Sequence, residues 1–403
     1  MFKSPLKTSA VIYQSLLVMF LIFAQASVAS ETSHKTNGNG KFEAFFNAYV
    51  DGLNSRDEKV VSDSIDIHAI FDTAIESKSD KKRYEKTLTN KFKSEFKASF
   101  ISSLLTNMAD EGFARLIKLG NSSKNQSKAL IRIILPSGGA QYLDVTAVSS
   151  KGKVKIVDWF DYSMGQTLTT NVTSILDMVV PRSGFIGKIR DIADDKGRVA
   201  RAFKDLAEIK RNPDLTKAKK FFSDYKKYME DNWILMTVAT QLMAVSSDEK
   251  FNLEILSFMD KHYADDTRAG FLLFDYYFVT NQFDKVIASL NRYEKEFAVE
   301  EGGILNFKVI TYYQAGDLAS ALKTTKRCIA VEPSFEQCYW LGVTVAIELK
   351  DFTEAIDILN MIVNDLGYEF SHDNIAADPM YADFVKSKEY ANWEYIQKTK
   401  SSE

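Results

Sequence analysis

Over 41–108 the apolar residues recur every three or four positions. Phe42, Phe45, Phe46, Tyr49 and Val50 mark a helix over 41–53, and Val61, Ile65, Ile67, Ile70, Phe71 and Ile75 mark one or two short helices over 60–77. Tyr84, Leu88, Phe92, Phe96, Phe100, Leu104 and Leu105 predict a single long amphipathic helix over 81–108. The period then shortens to two. Strands are predicted at 114–119, 129–135, 141–148 and 153–160, with turns at 136–139 and 149–152, and a closing helix at 167–179 stops before Pro181. Helices followed by a tightly connected meander predict an α+β domain over 41–180, with helices packed on one face of an antiparallel sheet.

From 182 onward the helical spacing returns and no strand pattern interrupts it. Helix pairs are expected at 199–209 with 217–229, and at 233–245 with 251–263. Beyond them a longer period emerges. Val286, Ala321 and Ala355 each stand a few residues after a turn (Asn281-Gln282, Gly316-Asp317, Lys350-Asp351), at intervals of 35 and 34 residues. A two-helix unit of this length, carrying Leu305, Tyr312, Gly316, Ala321 and Pro333, resembles the tetratricopeptide repeat (TPR) family. A small residue early in the second helix lets the two helices approach closely, and a glycine suits the left-handed turn between them. The third unit carries Leu341-Gly342 and reads as having an inter-helix loop one residue longer.

The resemblance implies an all-α TPR-like superhelix, with divergent helical hairpins over 182–265, repeats over 266–365 and capping helices over 366–403. Asp378-Pro379 followed by Tyr381, Phe384, Tyr390 and Trp393 fits a terminal cap, which an array needs to cover its last apolar face. It also implies a protein- or peptide-binding surface on the first helix of each unit. Carried onto this chain, that surface comprises Arg268, Phe271, Asp275 and Phe278, then Asn306, Ile310 and Tyr313, then Trp340 and Thr344. It lacks the lysine and arginine set of a carboxylate clamp, and its aromatic content suits apolar anchors in the partner.

The order of elements in 41–180 resembles the NTF2-like, cystatin-like superfold, and also periplasmic lipid carriers of the MlaC type. That resemblance implies an alternative function, carriage of an apolar or lipid ligand between sheet and helices. The lining would be Phe92, Phe96, Phe100, Ile133, Leu143, Ile156 and Trp159. Ile156 and Trp159 fall on opposite faces of a regular strand, so a bulge is required for both to face one cavity. The same residues also suit an ordinary filled core.

The N-terminus changes the compartment. Lys3 and Lys7 precede an uncharged apolar run over 10–24, and Ser27, Val28 and Ala29 follow. That order predicts a secretory signal peptide over 1–29, cut near Ala29, with a retained anchor as the alternative. No cysteine follows the run, which excludes lipoprotein-type anchoring. Residues 30–40 read as a flexible lead-in. The expected location is the bacterial periplasm, with no membrane span in the mature chain.

Of 403 residues, 45% are hydrophobic and only 6 are proline, so nearly the whole chain can build packed cores. The net charge of -3 gives no electrostatic case for nucleic acid. Basic residues concentrate in 182–227, with 14 Lys and Arg against 7 Asp and Glu. They are either the solvated faces of two helices or a contact for an anionic surface or partner.

Motifs for chemistry are missing. His34, His68, His262 and His372 are scattered, and the chain has no metal-ligand spacing, nucleophile elbow or phosphate-binding glycine loop. No cofactor and no catalytic set is expected. Asp158 and Asp161 lie three apart near a strand end, where regular pleating points them to opposite sides. An enzyme built on this domain would need Asp144 and Asp158 brought to face one pocket. Cys328 and Cys338 lie ten residues apart across a short loop. They are either a disulfide of an exported protein or two buried thiols at core positions. Sequons at Asn121, Asn125 and Asn171 would matter only on a eukaryotic secretory route.

Overall fold

The computed structural model describes residues 40–398, apart from 77, 79–80, 109–111, 136–138, 180–194, 244–245, 378, 394 and 397. The signal peptide, its cleavage site and the N-terminal part of the 182–227 basic stretch lie outside the described residues. Among those described, no helix is long and apolar enough to cross a membrane.

Five helices come first: α1 (Gly40–Asn54), α2 (Glu58–Ser64), α3 (Ile67–Glu76), α4 (Lys81–Thr87) and α5 (Asn90–Met108). They are followed by β1 (Phe113–Ser122), β2 (Gln126–Ile134), β3 (Ala140–Ser150), β4 (Lys153–Asp161) and the two-residue β5 (Gln166–Thr167), then α6 (Leu168–Val179). The strands form one antiparallel sheet in chain order. The expected α+β domain is therefore present.

Two expectations for it need correction. The single helix over 81–108 is two helices, because the chain breaks at Leu88-Thr89 and restarts where Thr89 Oγ1 accepts the Phe92 N–H at 3.2 Å. The Phe92, Phe96 and Phe100 stripe is also not the deepest face of α5. Lys93 and Ile101 are buried while the three phenylalanines are half-buried. Lys93 tolerates burial because its Nζ lies 3.0 Å from Asp72 and over the Phe71 ring.

The bulge required for Ile156 and Trp159 exists. Thr146 pairs with Asp158 but Ala147 with Ile156, so Val157 is the extra residue. Ile156 and Trp159 consequently share the helix-facing side, both buried, with Ile131, Ile133, Leu143 and Val145.

The remainder is helical. Its elements are α7 (Asp195–Arg211), α8 (Leu215–Met229), α9 (Trp233–Thr240), α10 (Glu249–Tyr263), α11 (Phe274–Val279), α12 (Phe283–Phe297), α13 (Gly302–Gln314), α14 (Leu318–Val331), α15 (Glu336–Glu348) and α16 (Phe352–Leu366). Three short helices follow, α17 (His372–Ala376), α18 (Ala382–Val385) and α19 (Lys388–Ala391). The second helices of successive pairs begin at Leu215, Glu249, Phe283, Leu318 and Phe352, at intervals of 34, 34, 35 and 34 residues. The period read from three units thus runs through five.

The inter-helix turns explain its constancy. Asn281, Gly316 and Lys350 all have positive φ, at 54°, 77° and 59°. The next residue's N–H reaches back to Tyr277, Tyr312 and Ala346 respectively, closing the same C-terminal motif three times. Asp214, Asp248, Asp317 and Asp351 then cap the second helices through their side chains. The loop before the third unit's second helix is not one residue longer. It matches the other two, with three residues between the helices in each unit, so that Val343 is the equivalent of Val309.

One first helix departs from expectation. Instead of a helix across 267–280 there is a 3-10 turn at Thr267–Ala269, further turns, and the short α11. The described chain forms two compact units. One comprises the described residues of 40–276 with Lys295–Val299, the other those of 277–294 and 300–398.

Candidate interaction surface

Within the first unit, the face of the sheet turned away from α1–α6 is not open. Tyr142 is fully buried there. Its ring stacks on Phe271 at 5.5 Å and meets Phe297 at 5.0 Å, and Tyr162 meets Phe297 at 4.9 Å. Lys118 donates from Nζ to the carbonyls of Phe297 and Ala298, both at 3.1 Å, satisfying acceptors that a helix C-terminus leaves unpaired. Arg132 lies fully buried on the same face, its guanidinium 5.9 Å from the Phe113 ring centre.

The turn after β4 makes the second contact. Gly165, at φ +62°, lies so close to Trp233 and Arg268 that an added Cβ would stand 2.5 Å from Trp233 Cζ2 and 2.6 Å from Arg268 Cβ. Arg268 in turn lies 4.9 Å over the Trp233 ring and is paired with Asp266. Arg268 and Phe271, expected to face a partner, are therefore occupied by the chain's own α+β domain. Sequence reading missed Trp233 and Tyr142 as their companions. Trp233 stands 35 residues before Arg268, which was the available signal.

In the second unit the remaining expected residues divide. Trp340 is half-buried under Tyr368 at 5.5 Å and Phe370 at 5.8 Å, rings supplied by the segment after α16. Thr344 is buried and its hydroxyl donates to the Trp340 carbonyl at 3.1 Å, so it offers nothing to a partner. Phe278, Asn306, Ile310 and Tyr313 are half-buried. Phe278 touches Phe283 at 5.8 Å, the Tyr313 hydroxyl donates to Glu348, and Asn306 Oδ1 has no hydrogen-bond partner among the described residues. Burial, reinforced by the Glu348 carboxylate, pushes the Tyr313 phenol well above its ordinary range. Asp275, in the first unit, is exposed.

Cys328 and Cys338 are joined as a disulfide between α14 and α15, with Cα atoms 6.0 Å apart. Beside it Glu301 caps α13 by accepting the Gly303 and Ile304 N–H groups, while Glu332 accepts that of Gly302 at 3.1 Å.

The carboxylates considered for chemistry are engaged in structure. Asp144 pairs with Lys128 at 2.9 Å, and Asp158 accepts the Thr169 N–H at the start of α6. Asp161, the buried one, accepts from Gln141 Nε2 at 2.6 Å and from the Ser163 N–H and hydroxyl, and burial raises its pKa above the ordinary carboxylate value. Among the described residues no group of three His, Cys, Asp or Glu could hold a metal ion. The apolar-ligand set packs on itself. Phe71 meets Phe92 at 6.0 Å and Phe96 at 5.3 Å, Phe100 meets Trp159 at 5.2 Å, and Ile133, Leu143 and Ile156 belong to the same core cluster.

Part of the basic stretch is ion-paired where described. Lys217, Lys219, Lys220 and Lys226 each lie within 3.3 Å of an acidic side chain. Comparison with known proteins adds no relative: no family model, no curated protein and no solved structure matches the chain.

Proposed function

We propose that the chain is a non-catalytic, exported scaffold that binds a partner protein or peptide through the first-helix side of a TPR-like array. The docking residues in this reading are Phe278, Asn306, Ile310 and Tyr313. One observation carries it. At equivalent positions of the neighbouring pairs the chain's own rings already cover this side, Tyr142 on Phe271 and Tyr368 with Phe370 on Trp340. The surface chemistry is therefore suited to apolar and aromatic side chains, and the middle pair presents half-buried Ile310 and Tyr313 beside an Asn306 Oδ1 with no hydrogen-bond partner among the described residues. The periplasm is the compartment proposed from the N-terminal sequence.

The test is to recover the partner from a periplasmic extract and measure its binding by calorimetry, with Phe278 and Ile310 each changed to Ala. Loss of one buried anchor is expected to weaken binding about thirtyfold. Undiminished affinity in both folded variants would move the site off this surface. The apolar-carrier alternative is the weaker reading, because the rings assigned to its lining contact one another.

A further inference from the structure

Independently of that surface, the two upstream second helices form a groove. Between α8 and α10 lies an open surface groove of about 520 Å³. From α8 it is lined by Ser223, Lys226, Lys227 and Glu230, and from α10 by Glu254, Ser257, Phe258 and Lys261. Lys226 is held in place, its Nζ 3.3 Å from Glu254 and over the rings of Phe222 at 5.2 Å and Phe258 at 5.3 Å. Lys227 and Lys261 differ. Both are exposed, and neither has an acidic partner among the described residues. They stand 34 residues apart, at equivalent positions of successive pairs, and so do Ser223 and Ser257.

We propose that this groove binds a small phosphate monoester, held by Lys227 and Lys261 from opposite walls with Ser223 and Ser257 as hydroxyl donors. A phosphate monoester carries a charge of about -1.5 to -2 and three acceptor oxygens, which match two ammonium groups and two hydroxyls. A helix C-terminus favours a cation in its last turn, which accounts for one lysine on each helix. It does not account for the paired serines, nor for a groove left open between them. Glu230 also sits at the groove, and Glu254 there is paired with Lys226, so the positive charge is confined to Lys227 and Lys261 and the ligand is compact, not a nucleic acid or an anionic membrane.

The test is an NMR titration of the full mature-length chain with inorganic phosphate and with glycerol 3-phosphate. Shifts should concentrate at Ser223, Lys227, Ser257 and Lys261. The double variant K227Q/K261Q should bind about tenfold more weakly, K227R/K261R should retain binding, and E230Q should bind more tightly because it removes a like charge from the site. Both lysines are exposed, so the variants should melt as the parent does, and the single variants K227Q and K261Q supply a second pair of measurements. Shifts absent up to about 10 mM phosphate, a total binding energy too small to matter at that concentration, would overturn the proposal. So would undiminished binding in K227Q/K261Q, or binding to anionic vesicles without any response to phosphate.

Discussion

Replacing Gly165 with Ala tests how firmly the α+β domain is built onto its neighbouring helices. Two costs add. The residue sits at φ +62°, and a left-handed backbone costs a non-glycine residue about 1–2 kcal/mol. The new Cβ would also stand 2.5 Å from Trp233 Cζ2 and 2.6 Å from Arg268 Cβ, closer than real Cβ atoms approach. Trp233 is buried, and Arg268 is tied to Asp266, so neither side chain swings away freely. Overpacking of this kind costs about 1–3 kcal/mol. The total is about 2–5 kcal/mol, or roughly 5–15 °C in melting temperature for a unit of this size. Gly152→Ala is the control. It has φ +77° with nothing within 4 Å of the added Cβ, so only the backbone cost applies. Urea and thermal melts of both variants, with tryptophan fluorescence as a second probe, separate the two costs. Equal destabilisation of the two variants would refute the close contact at Gly165.

Three further outcomes are expected. Changing Cys328 and Cys338 to Ser opens a ten-residue loop and should lower stability by about 3 kcal/mol on the chain-entropy scale, read as a lower urea midpoint. Ala321→Leu places three extra carbons in the fully buried cluster of Val309, Ala321 and Val345, and a melt should show about 1–3 kcal/mol lost. Asp161 has its pKa raised by burial, so the folded state holds that proton more tightly than the unfolded state does. Stability contributed by protonated Asp161 is present below the unfolded value of about 3.9 and is lost as pH rises through the folded value. Asp161→Asn should flatten the urea midpoint across that window, and an unchanged pH profile would show that another group controls it.

The local devices of this fold were legible in the chain. A turn residue tolerant of positive φ followed by an N-capping aspartate acts within a few residues. Gly316-Asp317 and Lys350-Asp351 therefore announce their helix pairs, and the spacing of such turns carries the 34-residue period. Strand alternation and its turns fixed the meander for the same reason. Tertiary packing decided the rest. Alternation in 153–160 cannot reveal that Val157 is bulged, because a bulge is set by pairing with β3, and that pairing alone brings Ile156 and Trp159 to one face. Helical spacing cannot tell that α5 buries Lys93 beside half-buried phenylalanines, since the outcome depends on Asp72 and Phe71 from α3. The same limit governs the candidate surface. Phe271, Trp340 and Ile310 look alike in the sequence as apolar residues at first-helix positions of the repeat. Whether each meets a partner or a ring of its own chain is a long-range contact, set by where Tyr142 and Tyr368 arrive in the folded structure.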